Sequence, residues 1–187
     1  LTPIASHRSP PLYEIVKVIN TISNNLYAEN LLLTIGKETS GHGTLQHAEM
    51  AVRQTLEKAG VHLEGFRMAD GSGLSRLNLI TPHDTVELLY YMAKGAHAKM
   101  FMDSLAAPGN KGTLQRFSLD APAPPAVKAK TGSMTNVRNL SGYITAANGE
   151  LFAFSFLCNN SAYPAERVDS LYNRILRYVA ETSFLVD

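Results

Sequence analysis

The feature that most constrains this 187-residue chain is a change of hydrophobic period near residue 127. Before it, apolar residues recur at helical spacing; after it, they alternate. Stretches 127–134, 140–147 and 151–158 read as strands, and Asn148-Gly149, between the last two, is a dipeptide that tight hairpins favour. Phe152, Phe154 and Phe156 fall on one face, and Leu151, Ala153 and Leu157 on the other, so both faces call for covering helices. Pro164 then opens a last helix with Val168, Leu171, Ile175, Leu176 and Val179 inward. Helices, an antiparallel meander and one closing helix make an α+β domain with that helix laid on the sheet.

The helical part divides readily. Leu12, Ile15, Val16 and Ile19 place a helix over 12–21, after the extended Ser9-Pro10-Pro11. Ser23-Asn24-Asn25 ends it, and by itself reads as a cap between two helices. A second stripe, Leu26, Leu31, Leu32 and Ile35, is expected to stop at Gly36, with a polar loop over 37–43. Thr44 can cap a helix carrying Leu45, Ala48, Val52 and Leu56 that ends at Gly60, and 61–68 alternates weakly, as a short strand would. Residues 70–76 form a Gly-rich turn; no lysine follows it and no strand–helix setting surrounds it, which excludes a phosphate loop. Thr81-Pro82-His83-Asp84 is a strong helix start, with Val86, Leu89, Tyr90 and Ala93 as the buried face and Gly95 as the end. A shorter helix over 97–106 precedes Pro108-Gly109, and a Pro-rich run, 121–125, leads into the first strand. The chain therefore reads as a single domain over 1–187, mainly helical over 10–120 and built of strands and the closing helix over 121–187.

Composition excludes several partners. The net charge of +1 gives no footprint for nucleic acid or an anionic membrane surface. No apolar run reaches the roughly 18–20 residues of a transmembrane helix. Six histidines are present without an H-E-x-x-H pairing, so no metal site is expected. Cys158 is alone, and no G-x-S-x-G elbow occurs. The chain begins Leu1-Thr2-Pro3-Ile4, without an initiator Met or a basic-then-apolar leader, as a processed or truncated chain would.

Chemistry concentrates at Lys130-Thr131-Gly132-Ser133, a cation, two hydroxyls and a glycine on what reads as a strand edge. Edge N–H groups can aim at an oxyanion, lysine and hydroxyls can hold a carboxylate, and Gly132 leaves room for a ligand backbone. Ser23-x-Asn25 precedes this motif by just over a hundred residues, and Asp70-Gly71-Ser72-Gly73-Leu74-Ser75-Arg76 stands between them. With Asn139-Leu140-Ser141-Gly142-Tyr143 downstream, this ordered set resembles the low-molecular-mass class C penicillin-binding proteins, the serine-type D-alanyl-D-alanine carboxypeptidases/endopeptidases of the bacterial envelope. The resemblance runs from about Arg8 to Tyr178.

The resemblance implies a β-lactamase/transpeptidase-like fold, peptidoglycan stem peptides and β-lactams as ligands, no cofactor, and a place in the periplasm or elsewhere in the extracytoplasmic envelope. It also implies roles. Ser23 would relay a proton to the leaving amine, Asn25 would hold the substrate amide, and Lys130 would supply positive potential and polarise Ser23. Thr131 and Ser133 would bind the terminal carboxylate beside Gly132, and the Ser133 N–H would be one oxyanion donor. Arg76 would meet the stem-peptide side chain in a pocket lined by Met134, or else simply brace a turn.

One departure stands out. Such enzymes attack with the serine of S-x-x-K, and no serine here has a lysine three residues later. The chain is therefore expected to be the C-terminal part of the transpeptidase-like domain, inactive without the N-terminal strands and nucleophile helix that complete it. Two other readings stay open: a non-catalytic peptidoglycan-binding module, and a β-lactamase or esterase on the same scaffold.

Overall fold

The computed structural model describes residues 4–117 and 126–181. Five helices come first: α1 (Leu12–Ile22), α2 (Asn25–Ser40), α3 (Leu45–Lys58), α4 (Pro82–Lys94) and α5 (Ala98–Ser104). Strands β1 (Ala126–Met134), β2 (Val137–Thr145) and β3 (Leu151–Asn159) follow, and α6 (Ala165–Glu181) closes the order. The strands form an antiparallel meander, β1-β2-β3, with Ala129 opposite Gly142 and Leu140 opposite Phe156. Gly142 is required by that pairing: a Cβ there would lie 2.2 Å from the Lys128 carbonyl oxygen. Gly149 turns the β2–β3 hairpin at φ 87°.

Both faces of the sheet are covered, as the two-sided apolar pattern requires. On one, Val168, Tyr172, Leu176 and Ala180 of α6 pack against Val127, Ala129, Leu140, Ile144 and Phe154. On the other, Tyr143 sits with Leu89 of α4 and Leu105, and its hydroxyl donates to the Leu89 carbonyl at 2.6 Å. Arg138 of β2 grips Asp169 of α6 through two bonds of 2.7 and 2.6 Å, fixing the helix over the sheet.

Several local expectations need correction. Gly36 does not end α2, which continues to Ser40 and is capped by Gly41 in the left-handed region. A Cβ at Gly36 would stand 3.0 Å from Ala48 N and His42 O, so this glycine lets α2 and the start of α3 approach rather than breaking a helix. The inward stripe of α6 is spaced four residues apart and uses Tyr172, stacked on Phe156 at 4.8 Å, while Leu171 and Ile175 are exposed. Tyr90 is likewise exposed, lying beneath the Lys94 ammonium. Residues 61–68 form no strand; only Arg67 pairs, with Leu79. Strand β2 begins three residues earlier than the alternation indicated, because Val137, Arg138 and Asn139 already pair with Met134, Ser133 and Gly132. The Pro-rich run 121–125 lies outside the described residues.

Candidate active site

Helices α1 and α2 meet at a very short joint. Asn24 takes the capping role, accepting from Tyr27 N at 2.9 Å, so the plain cap reading of Ser23-Asn24-Asn25 is met by its middle residue. Asn25, the first residue of α2, is exposed. Ser23 caps the C-terminal end of α1 in the left-handed conformation, φ 59° and ψ 54°, uncommon for a residue with a Cβ.

Across from this joint runs β1. The Lys130 ammonium donates to Ser23 Oγ at 2.7 Å and to the Thr131 carbonyl at 2.7 Å. Burial holds its pKa below the usual lysine value. Strand alternation puts Lys128 and Lys130 on the helical side, where Lys128 pairs with Asp103 of α5. Thr131 and Ser133 share the opposite side with buried Val127 and Ala129, yet are themselves half-buried and exposed, respectively. Lys130 and the two hydroxyl residues thus leave the strand on opposite faces; what they share is its outer edge.

That edge is partly occupied. Ala129 bonds outward to Ala106 through both backbone groups, at 2.9 and 3.2 Å. By the same alternation the N–H groups of Thr131 and Ser133 point to the outer edge, beyond the Ala106 bridge. A Cβ at Gly132 would meet Asn139 Cβ of β2 at 3.4 Å, an ordinary contact, so the strand tolerates a side chain there. A cavity of about 720 Å³ lies between the end of β3 and α6, and neither Ser23 nor Lys130 lines it. Among the described residues, the candidate site is a strand edge left open beyond the Ala106 bridge.

The Gly-rich turn is docked beside it. Glu29 of α2 accepts from Gly71 N and Ser72 N at 3.1 and 3.0 Å. Asp70 accepts from Gly73 N at 2.6 Å, from Ser75 N at 2.5 Å and from the Asn78 amide at 3.0 Å. These donors hold both carboxyl groups below their ordinary pKa against the opposing effect of burial. Arg76, exposed, donates to the Thr135 carbonyl at 3.2 Å, just past Met134. It therefore braces a turn other than its own and stands at the end of β1. Glu29 was not singled out from sequence; its only signal is that it follows Asn25 by one helical turn. Among the described residues, no group of three or more His, Cys, Asp or Glu side chains could hold a metal ion.

The model of the D-Ala-D-Ala carboxypeptidase 3 (S13) family matches residues 1–176. The chain belongs to that family.

Among its relatives, the D-alanyl-D-alanine carboxypeptidase of Actinomadura sp. is 37% identical over 182 residues, which cover 94% of this chain and 34% of the relative. The chain thus spans about a third of the length of the curated relatives it matches. The crystal structure of penicillin binding protein 4 from Haemophilus influenzae, complexed with a β-lactam, superposes with a TM-score of 0.85 at 30% identity, covering 94% of this chain and 43% of that one. The extended-spectrum β-lactamase TLA-1 shares the fold, with a TM-score of 0.68 at 21% identity over 90% of this chain and 63% of that one.

Proposed function

We propose that this S13 chain is part of a serine D-Ala-D-Ala carboxypeptidase or endopeptidase that hydrolyses peptidoglycan stem peptides and takes β-lactams at the same site, outside the bacterial cytoplasm. The observation that carries the reading is the 2.7 Å bond from Lys130 to Ser23 Oγ beside the open edge of β1. With Lys130 donating to its oxygen, Ser23 keeps its own proton available to pass on.

In this reading the nucleophilic serine and its lysine come from outside these 187 residues, since no S-x-x-K occurs within them. The serine hydroxyl attacks the carbonyl carbon of the penultimate D-alanine, and its proton passes to the lysine. The Ser133 N–H and the N–H of the nucleophile itself stabilise the oxyanion. Ser23 passes its proton to the departing D-alanine amine as the C–N bond breaks and takes one back from the lysine beside the nucleophile, while Lys130 keeps Ser23 polarised. Water then hydrolyses the acyl-serine. Thr131 and Ser133 hydroxyls hold the terminal carboxylate, Asn25 the substrate amide, and Arg76 with Met134 the stem-peptide side chain. No cofactor is required.

The test is release of D-alanine from a peptide ending in D-Ala-D-Ala by the longer protein. Ser23→Ala and Lys130→Ala should each lower kcat by about 10²- to 10⁴-fold, the range of a lost acid–base group. Full activity in both variants would remove the relay from the mechanism.

A further inference from the structure

Ser23 and Lys130 lie 107 residues apart in sequence, and residues close to each are tied to the end of α5. Asn20, one turn before Ser23 on the same side of α1, donates its amide to Ser104 Oγ at 2.8 Å. Thr21 Oγ1 donates to the Ser104 carbonyl at 2.9 Å. Ser104 is fully buried, and its hydroxyl donates onward to the Phe101 carbonyl at 2.6 Å. Two residues later, Ala106 pairs with Ala129, the residue before Lys130. From the other side Thr113 N donates to the Thr21 carbonyl at 3.0 Å, and a Cβ on Gly112 would lie 2.7 Å from that oxygen, so this loop closes tightly on the last turn of α1.

A buried polar pair has a plainer use, as a satisfied contact that adds stability. An apolar pair of the same shape would fill the space at similar stability, whereas hydrogen bonds also fix distance and direction. The contacts run from Asn20 and Thr21, in the last turn of α1 before Ser23, through Ser104 to Ala106 and Ala129, the residue before Lys130.

We propose that Asn20 and Ser104 are positioning residues that hold Ser23 Oγ within hydrogen-bond reach of Lys130 Nζ. This rests on the reading of Ser23 and Lys130 as the proton relay. Among the described residues, the charged groups paired on that side of β1 are Lys128 and, from α5, Asp103 with Lys99. Burial alone lowers the Lys130 pKa, so its titration reports whether the ammonium still sits in its site.

The test uses the double variant Asn20→Leu with Ser104→Ala, made both in the longer protein and in this chain. Its thermal midpoint should stay within about 2 °C of wild type, since both partners are replaced together. Acylation of the longer protein by benzylpenicillin should slow about 10²-fold, the cost of a misplacement near 1 Å. In this chain the Lys130 titration, followed by the ¹³C shift of its ε carbon, should move up toward that of a solvated lysine. Wild-type acylation together with a wild-type titration would overturn the proposal. Thr21→Val, which deletes one bond of the same clasp with little change of shape, carries the test if the double variant fails to fold, with the same two outcomes. If the wild-type longer protein takes no benzylpenicillin, the carboxypeptidase reading fails. The Lys130 titration then decides the clasp alone: a raised midpoint supports it and an unchanged one overturns it.

Discussion

Ser23 holds a left-handed backbone, φ 59° and ψ 54°, at the very point where its hydroxyl accepts a 2.7 Å hydrogen bond from Lys130. A Cβ in that conformation costs about 1–2 kcal/mol, and such strain collects where a side chain must be aimed. Replacing Ser23 by Gly or by Ala removes the same hydroxyl, so the difference between the two variants isolates the backbone. Ser23→Gly should unfold about 1 kcal/mol later than Ser23→Ala in denaturant titration, with equal loss of D-alanine release when both are made in the longer protein. Equal stability of the two variants would mean that the conformation carries no strain.

Burial lowers the Lys130 pKa, and the sign of its effect on stability follows. Below the folded pKa the lysine is charged in both states and only the folded protein bears the desolvation cost. Between the folded and unfolded pKa the unfolded chain binds more protons, so this group makes stability rise with pH, up to the unfolded value near 10.5. Lys130→Met should remove that rise, and should be no less stable than wild type near pH 7 while losing the relay. Urea unfolding at several pH values from 7 to 10 is the measurement.

Two buried phenols act in the opposite sense. Tyr143 donates to the Leu89 carbonyl at 2.6 Å and Tyr172 to the Arg138 carbonyl at 2.7 Å, and burial pushes each pKa up to about 12. Their contribution is fully present below the unfolded pKa near 10 and is lost as pH rises through about 12. Tyr143→Phe should cost about 1 kcal/mol at pH 7 for the lost hydrogen bond, and should flatten the alkaline limb of the stability curve. A wild-type alkaline limb in that variant would contradict the assignment.

Much of this was legible in the sequence because the signals were local. The Asn148-Gly149 hairpin and the Thr81 cap, which forms a full capping box with Asp84, need only a few neighbouring residues to work. Other features were set by contacts distant in sequence. Gly36 looked like a helix stop, yet its role depends on where α3 packs, which no local rule contains. Periodicity ranks hydrocarbon above phenol and so favours Leu171 and Ile175 over Tyr172. The fold buries the ring against Phe156 and satisfies its hydroxyl on Arg138. For the site, the ordered motifs named Ser23 and Lys130 but not the Asn20, Ser104 and Glu29 contacts around them, whose partners lie 42 to 84 residues away.

The Gly-rich turn gives a further prediction. A Cβ at Gly71 would lie 2.7 Å from the Ala28 carbonyl oxygen and 3.0 Å from Leu32 Cβ, both on α2. Gly71→Ala should therefore push the turn off α2, break the Glu29 bonds and displace Arg76 from Thr135. A loss of about 1–3 kcal/mol is expected, with faster amide exchange over residues 70–78. Unchanged protection at Gly73 and Ser75 would show that the turn does not depend on this docking.

The most direct test of the central claim is intact-protein mass after incubation with benzylpenicillin, for this chain and for the longer protein. The account predicts a stable adduct on the longer protein and none on this chain, because Ser23 serves as relay and the nucleophile lies elsewhere. A longer protein that neither forms an adduct nor turns the drug over would contradict the acyl-serine reading. An adduct on this chain alone, mapped to Ser23, would make Ser23 the nucleophile and overturn the roles assigned to it and to Lys130.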